Sequence, residues 1–118
     1  MKVPKRVKPL LSNSHAHAPK QEKRIAGRIN GRTVRGSGSG NEKGDARKPG
    51  VCRVECKGTK HSSFSITQKM LDKIENAAMP ACELPVIQID FLDDDGNVKR
   101  TCAVCPEWVL DIIAETKI

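Results

Sequence analysis

A chain of 118 residues with 3% aromatic content has room for one small, mostly aliphatic core, which excludes a multidomain assembly. The net charge of +7 is unevenly spread: residues 1–60 hold sixteen Lys/Arg against four Asp/Glu, whereas residues 61–118 hold five against ten. That asymmetry points to a polyanion, with nucleic acid the best fit, and no apolar run is long enough to span a membrane.

Residues 1–18 are basic, with two prolines and no acid, and read as a flexible arm suited to a phosphate backbone. His15 and His17 fall in this arm and read as a solvated pair. No apolar stretch follows the early positive charges, so no secretory signal is expected. Five cysteines are an odd number for a disulfide framework and read as reduced thiols of a cytoplasmic protein.

A single domain is expected over residues 19–118. A short helix is predicted from Pro19 to Asn30, with Pro19 at its first position and Glu22 in its first turn. Ile25, Ala26 and Ile29 give its apolar edge, and Gly31 ends it. Glu22 is either a capping charge or an acid reaching a site elsewhere. A strand then runs over residues 31–34, followed by Arg35 and Gly36-Ser37-Gly38-Ser39-Gly40. That run is either a plain connector or, given its small residues and two hydroxyls, a loop touching phosphate.

Residues 44–59, GDARKPGVCRVECKGT, carry the main functional signal. Over residues 51–57, Cys52, Val54 and Cys56 alternate with Arg53, Glu55 and Lys57, so a β-strand would put Glu55 and Lys57 side by side on one face. A two-residue loop would set Asp45 opposite Val54. A three-residue loop, Pro49 to Val51, would set it opposite Glu55. Like charges facing each other on a sheet are destabilising, and a divalent cation would offset that. The other reading is an ordinary surface hairpin with scattered charges.

Beyond it lies a basic loop with Lys60 and His61. A helix follows, opened by Ser65 with Gln68 as a capping box, with a core stripe of Ile66, Met70, Ile74 and Ala77/Ala78. Gln68 and Lys69 would contact DNA or form a solvated face. Pro80 stops the helix. Residues 84–92 and 98–105 read as strands joined by a turn at Asp93-Asp94-Asp95-Gly96-Asn97. Phe91 and Cys102 would occupy positions one and twelve of a calcium loop, which excludes that reading. Cys102 and Cys105 would point to opposite faces of a strand, which excludes a zinc knuckle. A last helix from Pro106 carries Trp108, Val109, Ile112 and Ile113, for the core or a dimer surface.

The order is α-β-β-β-α-β-β-α, an α/β fold with a mixed sheet flanked by helices. From about Gln21 onward it resembles the PD-(D/E)xK nuclease superfamily, restriction-endonuclease-like in its core. Within that superfamily it resembles the small archaeal-type and phage Holliday-junction resolvases. The matching residues are Glu22, Arg35-Gly-Ser-Gly-Ser, Gly44-Asp45 and Glu55-Cys56-Lys57, with Gly44 where the family usually has proline. The resemblance implies a Mg²⁺-dependent endodeoxyribonuclease, with Mn²⁺ able to substitute, of phage or prokaryotic origin. Asp45, Glu55 and the Cys56 carbonyl would hold the metal, completed by Glu22 or Glu42, and Lys57 would act on the water or phosphate. Ser37 or Ser39 would hold the phosphate, and Arg32, Arg35, Arg47, Arg53 and Lys60 would position the backbone. Two symmetric cuts imply a homodimer. A nicking or restriction-like nuclease and a non-enzymatic basic DNA-binding protein are the alternatives.

Overall fold

The structure, a computed structural model, describes the backbone of residues 9–34 and 45–116, and the side chains of residues 17, 19–34 and 46–116. The elements run α1 (Pro9–Arg28), β1 (Arg32–Thr33), β2 (Asp45–Lys48), β3 (Cys52–Thr59), α2 (Gln68–Ala78), β4 (Leu84–Leu92), β5 (Val98–Val104) and α3 (Glu107–Glu115). They form one five-stranded sheet in the order β1-β2-β3-β4-β5. β1, β2 and β3 make an antiparallel meander, β3 and β4 run parallel with α2 as their crossover, and β5 returns antiparallel to β4. This is the predicted α/β mixed sheet, with its helices on both faces.

Strand alternation sorts the core into two layers. On one face Ala46, Val54 and Cys56 pack against Ile25 and Ala26 of α1. On the other, Ile87 and Ile89 pack against Ile74, Met70 and Leu71 of α2, with Phe64, Phe91 and Val104 around them. Ile25, Ile74 and Ile87 are almost wholly removed from water, each contributing about 1.5–3 kcal/mol.

Helix α1 begins at Pro9 rather than Pro19, so Pro19 lies inside it and the predicted arm boundary falls within a helix. An interior proline removes a helical hydrogen bond and costs about 3 kcal/mol. The helix is fastened to the sheet on both sides of it, by His17 before and by Gln21 and Arg24 after. At its end Asn30 takes the left-handed conformation, with φ 60°. The Gly31 amide donates to the Ala26 carbonyl at 2.8 Å and the Asn30 amide to that of Gly27 at 3.2 Å, a Schellman closure. Gly31 is required for a different reason: a Cβ there would lie 2.2 Å from the Arg47 carbonyl oxygen on β2.

The β2–β3 loop is three residues long, since Lys48 pairs with Cys52. The Val51 amide donates to the Lys48 carbonyl at 2.9 Å, and Gly50 has φ 77°, the type II signature with Pro49 ahead of it. Helix α2 starts two residues later than the predicted Ser65 cap. Thr67 is the N-cap, its hydroxyl accepting from the Met70 amide at 3.1 Å. The Asp93 carboxylate accepts from the Asp95 and Asn97 amides at 2.9 and 2.8 Å, closing the β4–β5 turn as expected. Val109 of α3 is buried, whereas Leu110, Ile112 and Ile113 are exposed. Among the described residues no helix is long and apolar enough to cross a membrane.

Candidate functional site

Because the loop has three residues, Asp45 lies directly opposite Glu55 in the antiparallel pair, and Arg47 opposite Arg53. Paired residues share a face, so Arg47, Arg53, Glu55 and Lys57 line the side of the sheet that α2 covers, and the Asp45 backbone pairs with Glu55 at its edge. Glu55 is 6% exposed. Its Oε2 is 2.9 Å from Lys57 Nζ and 3.9 Å from Lys73 Nζ of α2.

The carboxylate sits in a groove of about 490 Å³ between β3 and α2, lined on the sheet side by Glu55 and Lys57. Thr67, Lys69, Met70, Asp72, Lys73 and Asn76 line the helix side. The sequence signal for this wall was the polar stripe of α2, and its connection to Glu55 depends on the crossover, which periodicity does not reveal.

The remaining expected residues are placed unequally. Glu22 is half-buried on α1, which covers the opposite face of the sheet from the Glu55 carboxylate. The Cys56 side chain is buried under α1, and its carbonyl lies on the strand between Glu55 and Lys57. Arg32 is exposed on β1. Lys60 is exposed, its ammonium donating to the Asp94 carbonyl at 3.1 Å. Arg35, Ser37, Ser39 and Glu42 lie outside the described residues, as does the expected phosphate loop.

Arg47 and Arg53, expected on a DNA backbone, instead face a buried carboxylate that the sequence reading passed over. Glu83 is 2% exposed. Its Oε2 accepts from Arg47 Nε at 2.9 Å, from Arg47 Nη2 and from the Gly50 amide at 3.1 Å. Its Oε1 is 4.0 Å from Arg53 Nη1. Arg47 thereby ties the hairpin to the start of β4, with the Arg53 charge close by.

A second buried polar cluster holds α1 to the sheet behind the groove. Asp90, wholly buried on β4, accepts from His17 Nε2 at 3.0 Å, Arg24 Nη2 at 2.8 Å and Gln88 Nε2 at 3.3 Å. Burial alone would push its carboxyl up. The bonds from Arg24 and Gln88, with the nearby charges of Arg24 and His17, outweigh that and hold it below the ordinary carboxylate range. Gly58, paired with Asp90, leaves room for the His17 ring, whose Cδ2 would lie 3.0 Å from a Cβ there. Gln21 Nε2 donates to the Lys57 carbonyl at 2.8 Å, fixing the backbone of the Glu55–Lys57 strand from the far face. His17 is thus a buried anchor and not the solvated residue its local sequence implied.

Among the described residues there is no group of three or more His, Cys, Asp or Glu side chains able to hold a metal ion. Two carboxylate-bearing positions face each other across β2 and β3, and Mg²⁺ characteristically takes one or two carboxylates while keeping several waters. Comparison with known protein families, with curated proteins and with solved structures finds no match.

Proposed function

We propose that the chain is a metal-dependent DNA endonuclease acting on four-way junctions, and that the β3–α2 groove is its active site. The observation that carries this reading is the register that sets Asp45 opposite Glu55, with Lys57 2.9 Å from the Glu55 carboxylate. Opposed carboxylates are unfavourable without a cation, and a basic face beside them suits a phosphodiester.

Asp45, Glu55 and the Cys56 carbonyl would hold the metal, Mg²⁺ or Mn²⁺, with Glu42 the further acid, since Glu22 rides on α1 over the opposite face of the sheet. The bound ion supplies charge for the phosphate and a water of lowered pKa. Lys57 is placed on the same face to orient that water or to stabilise charge developing on the phosphate oxygens. Gln21 holds the Lys57 backbone in place. Arg32 and Lys60 stand exposed on β1 and on the loop after β3 for backbone contact. Junction resolution requires paired incisions, so the proposal includes a homodimer in a cytoplasmic setting.

A second reading is favoured by Lys73. With Lys57 and Lys73 both beside Glu55, the cluster could serve as a structural ion pair in a basic DNA-binding protein. Incubating the protein with a labelled four-way junction and a linear duplex of matched sequence, in Mg²⁺ and in EDTA, separates these. The proposal expects metal-dependent cuts in the junction alone. Equal cutting of both substrates replaces the resolvase with a nicking or restriction-like nuclease. Binding with no cutting in either Mg²⁺ or Mn²⁺ favours the non-enzymatic reading.

A further inference from the structure

We infer that Lys69 and Lys73 of α2 form a second phosphate-binding wall, holding DNA backbone phosphates across the groove from Lys57. The inference rests on reading the groove as the DNA site.

Lys69, Lys73 and Asn76 stand at helical spacings of four and three, so they make one polar stripe down α2, and all three line the groove. Ile74 turns the other way, into the core against Ile87 and Ile89, while half-buried Met70 packs on that core and borders the groove. The helix is thus anchored by one face and presents ammonium groups with the other. At about 1.5 Å rise per residue, Lys69 and Lys73 lie about 6 Å apart along the axis, which lets both reach one extended polyanionic strand. Thr67, the N-cap of α2, also lines the groove, so the positive end of the helix dipole lies there with them.

The charges across the groove give the stripe a direction. Lys73 Nζ, half exposed, is 3.9 Å from the same Glu55 oxygen that Lys57 approaches to 2.9 Å. One buried carboxylate therefore draws two ammonium groups to the groove floor. Among the described side chains that line the groove, three ammonium groups, Lys57, Lys69 and Lys73, stand with the carboxylates of Glu55 and Asp72. Both α2 lysines are exposed where a phosphate strand would enter.

The test is the salt dependence of binding to a fluorescent four-way junction in EDTA, where no cutting occurs. The variants are Lys69→Gln/Lys73→Gln and a control of equal charge loss, Lys99→Gln/Arg100→Gln, on exposed positions of β5. Each lost phosphate contact reduces the slope of log affinity against log salt by about 0.9. The inference expects a reduction of about 1.8 for the groove pair and none for the control. Equal reductions in both pairs, or none in either, overturn it. Unchanged circular dichroism and melting temperature keep folding out of the comparison. Cleavage by the wild type in Mg²⁺ is scored separately. Cutting with no slope change sinks the α2 wall and leaves the nuclease, whereas a slope change without cutting sinks the nuclease and leaves the wall.

Discussion

Replacing Asp90 by Asn tests the polar clamp that holds α1 to the back of the site strand. The substitution keeps the shape and removes the charge. In the native protein the carboxylate accepts from His17, Arg24 and Gln88 with no water access. Asparagine can still accept from Arg24 and Gln88, but weakly, and its amide nitrogen keeps a bond to His17 Nε2 only with the imidazole proton moved to Nδ1. A hydrogen bond to a charged group contributes about 1.5–3 kcal/mol and a neutral one about 0.5–1.5 kcal/mol, so downgrading the His17 and Arg24 bonds costs about 2 kcal/mol. The larger penalty for stranding a buried charge does not apply in full, because the Arg24 side chain is 40% exposed and water can take up its charge. For a domain of this size the loss corresponds to a melting temperature about 8 °C lower. The pH dependence has a definite sign. The folded carboxyl lies below its ordinary value, so its contribution is complete above the unfolded pKa of about 3.9 and is lost as pH falls through the lower folded value. Urea unfolding of wild type and Asp90→Asn at pH 7, 5, 4 and 3 should therefore give a gap that is constant down to pH 5 and shrinks below pH 4. A gap under about 0.5 kcal/mol at pH 7, or one that does not shrink in acid, refutes the clamp.

Glu83→Gln should destabilise by about 3 kcal/mol, because it leaves Arg47 and Arg53, 23% and 13% exposed, facing a neutral group they cannot leave for water. Denaturant titration reads this, and a loss below about 1 kcal/mol would show that the two arginines re-hydrate. Gly31→Ala should cost about 1–3 kcal/mol, since its Cβ meets Arg47 backbone and not a flexible side chain. Faster amide exchange at Ala46 and Arg47 would accompany that loss, and unaltered exchange would place the strain elsewhere.

Local chemistry made the hairpin legible. Pro49-Gly50 and the alternation after it left two loop lengths open, and the three-residue choice set Asp45 opposite Glu55, as found. The β4–β5 hairpin was equally legible, from an Ile/Val-rich run, a turn of Asp, Gly and Asn, and a second strand. What stayed hidden depended on distant partners. His17 looked solvated because Asp90 is 73 residues away, and the helix looked as if it began at Pro19 because local rules do not include anchors on both sides of a proline. Glu83 drew no notice beside a loop, since nothing nearby in sequence announces Arg47 and Arg53. The α2 wall of the groove was half legible: the lysine stripe is a sequence pattern, but its approach to Glu55 is a product of the β3–α2–β4 crossover.

The central claim is that Asp45 and Glu55 act together on a phosphodiester. Single-turnover cleavage of a labelled four-way junction in Mg²⁺, by wild type, Asp45→Asn and Glu55→Gln, tests it most directly, with junction binding in EDTA measured alongside. The account predicts that each substitution slows cutting by at least about a hundredfold, the scale of losing one charge-stabilising group, while binding and melting temperature hold. Cutting by either variant at the wild-type rate would contradict it, as would a wild type that binds the junction tightly and never cuts it.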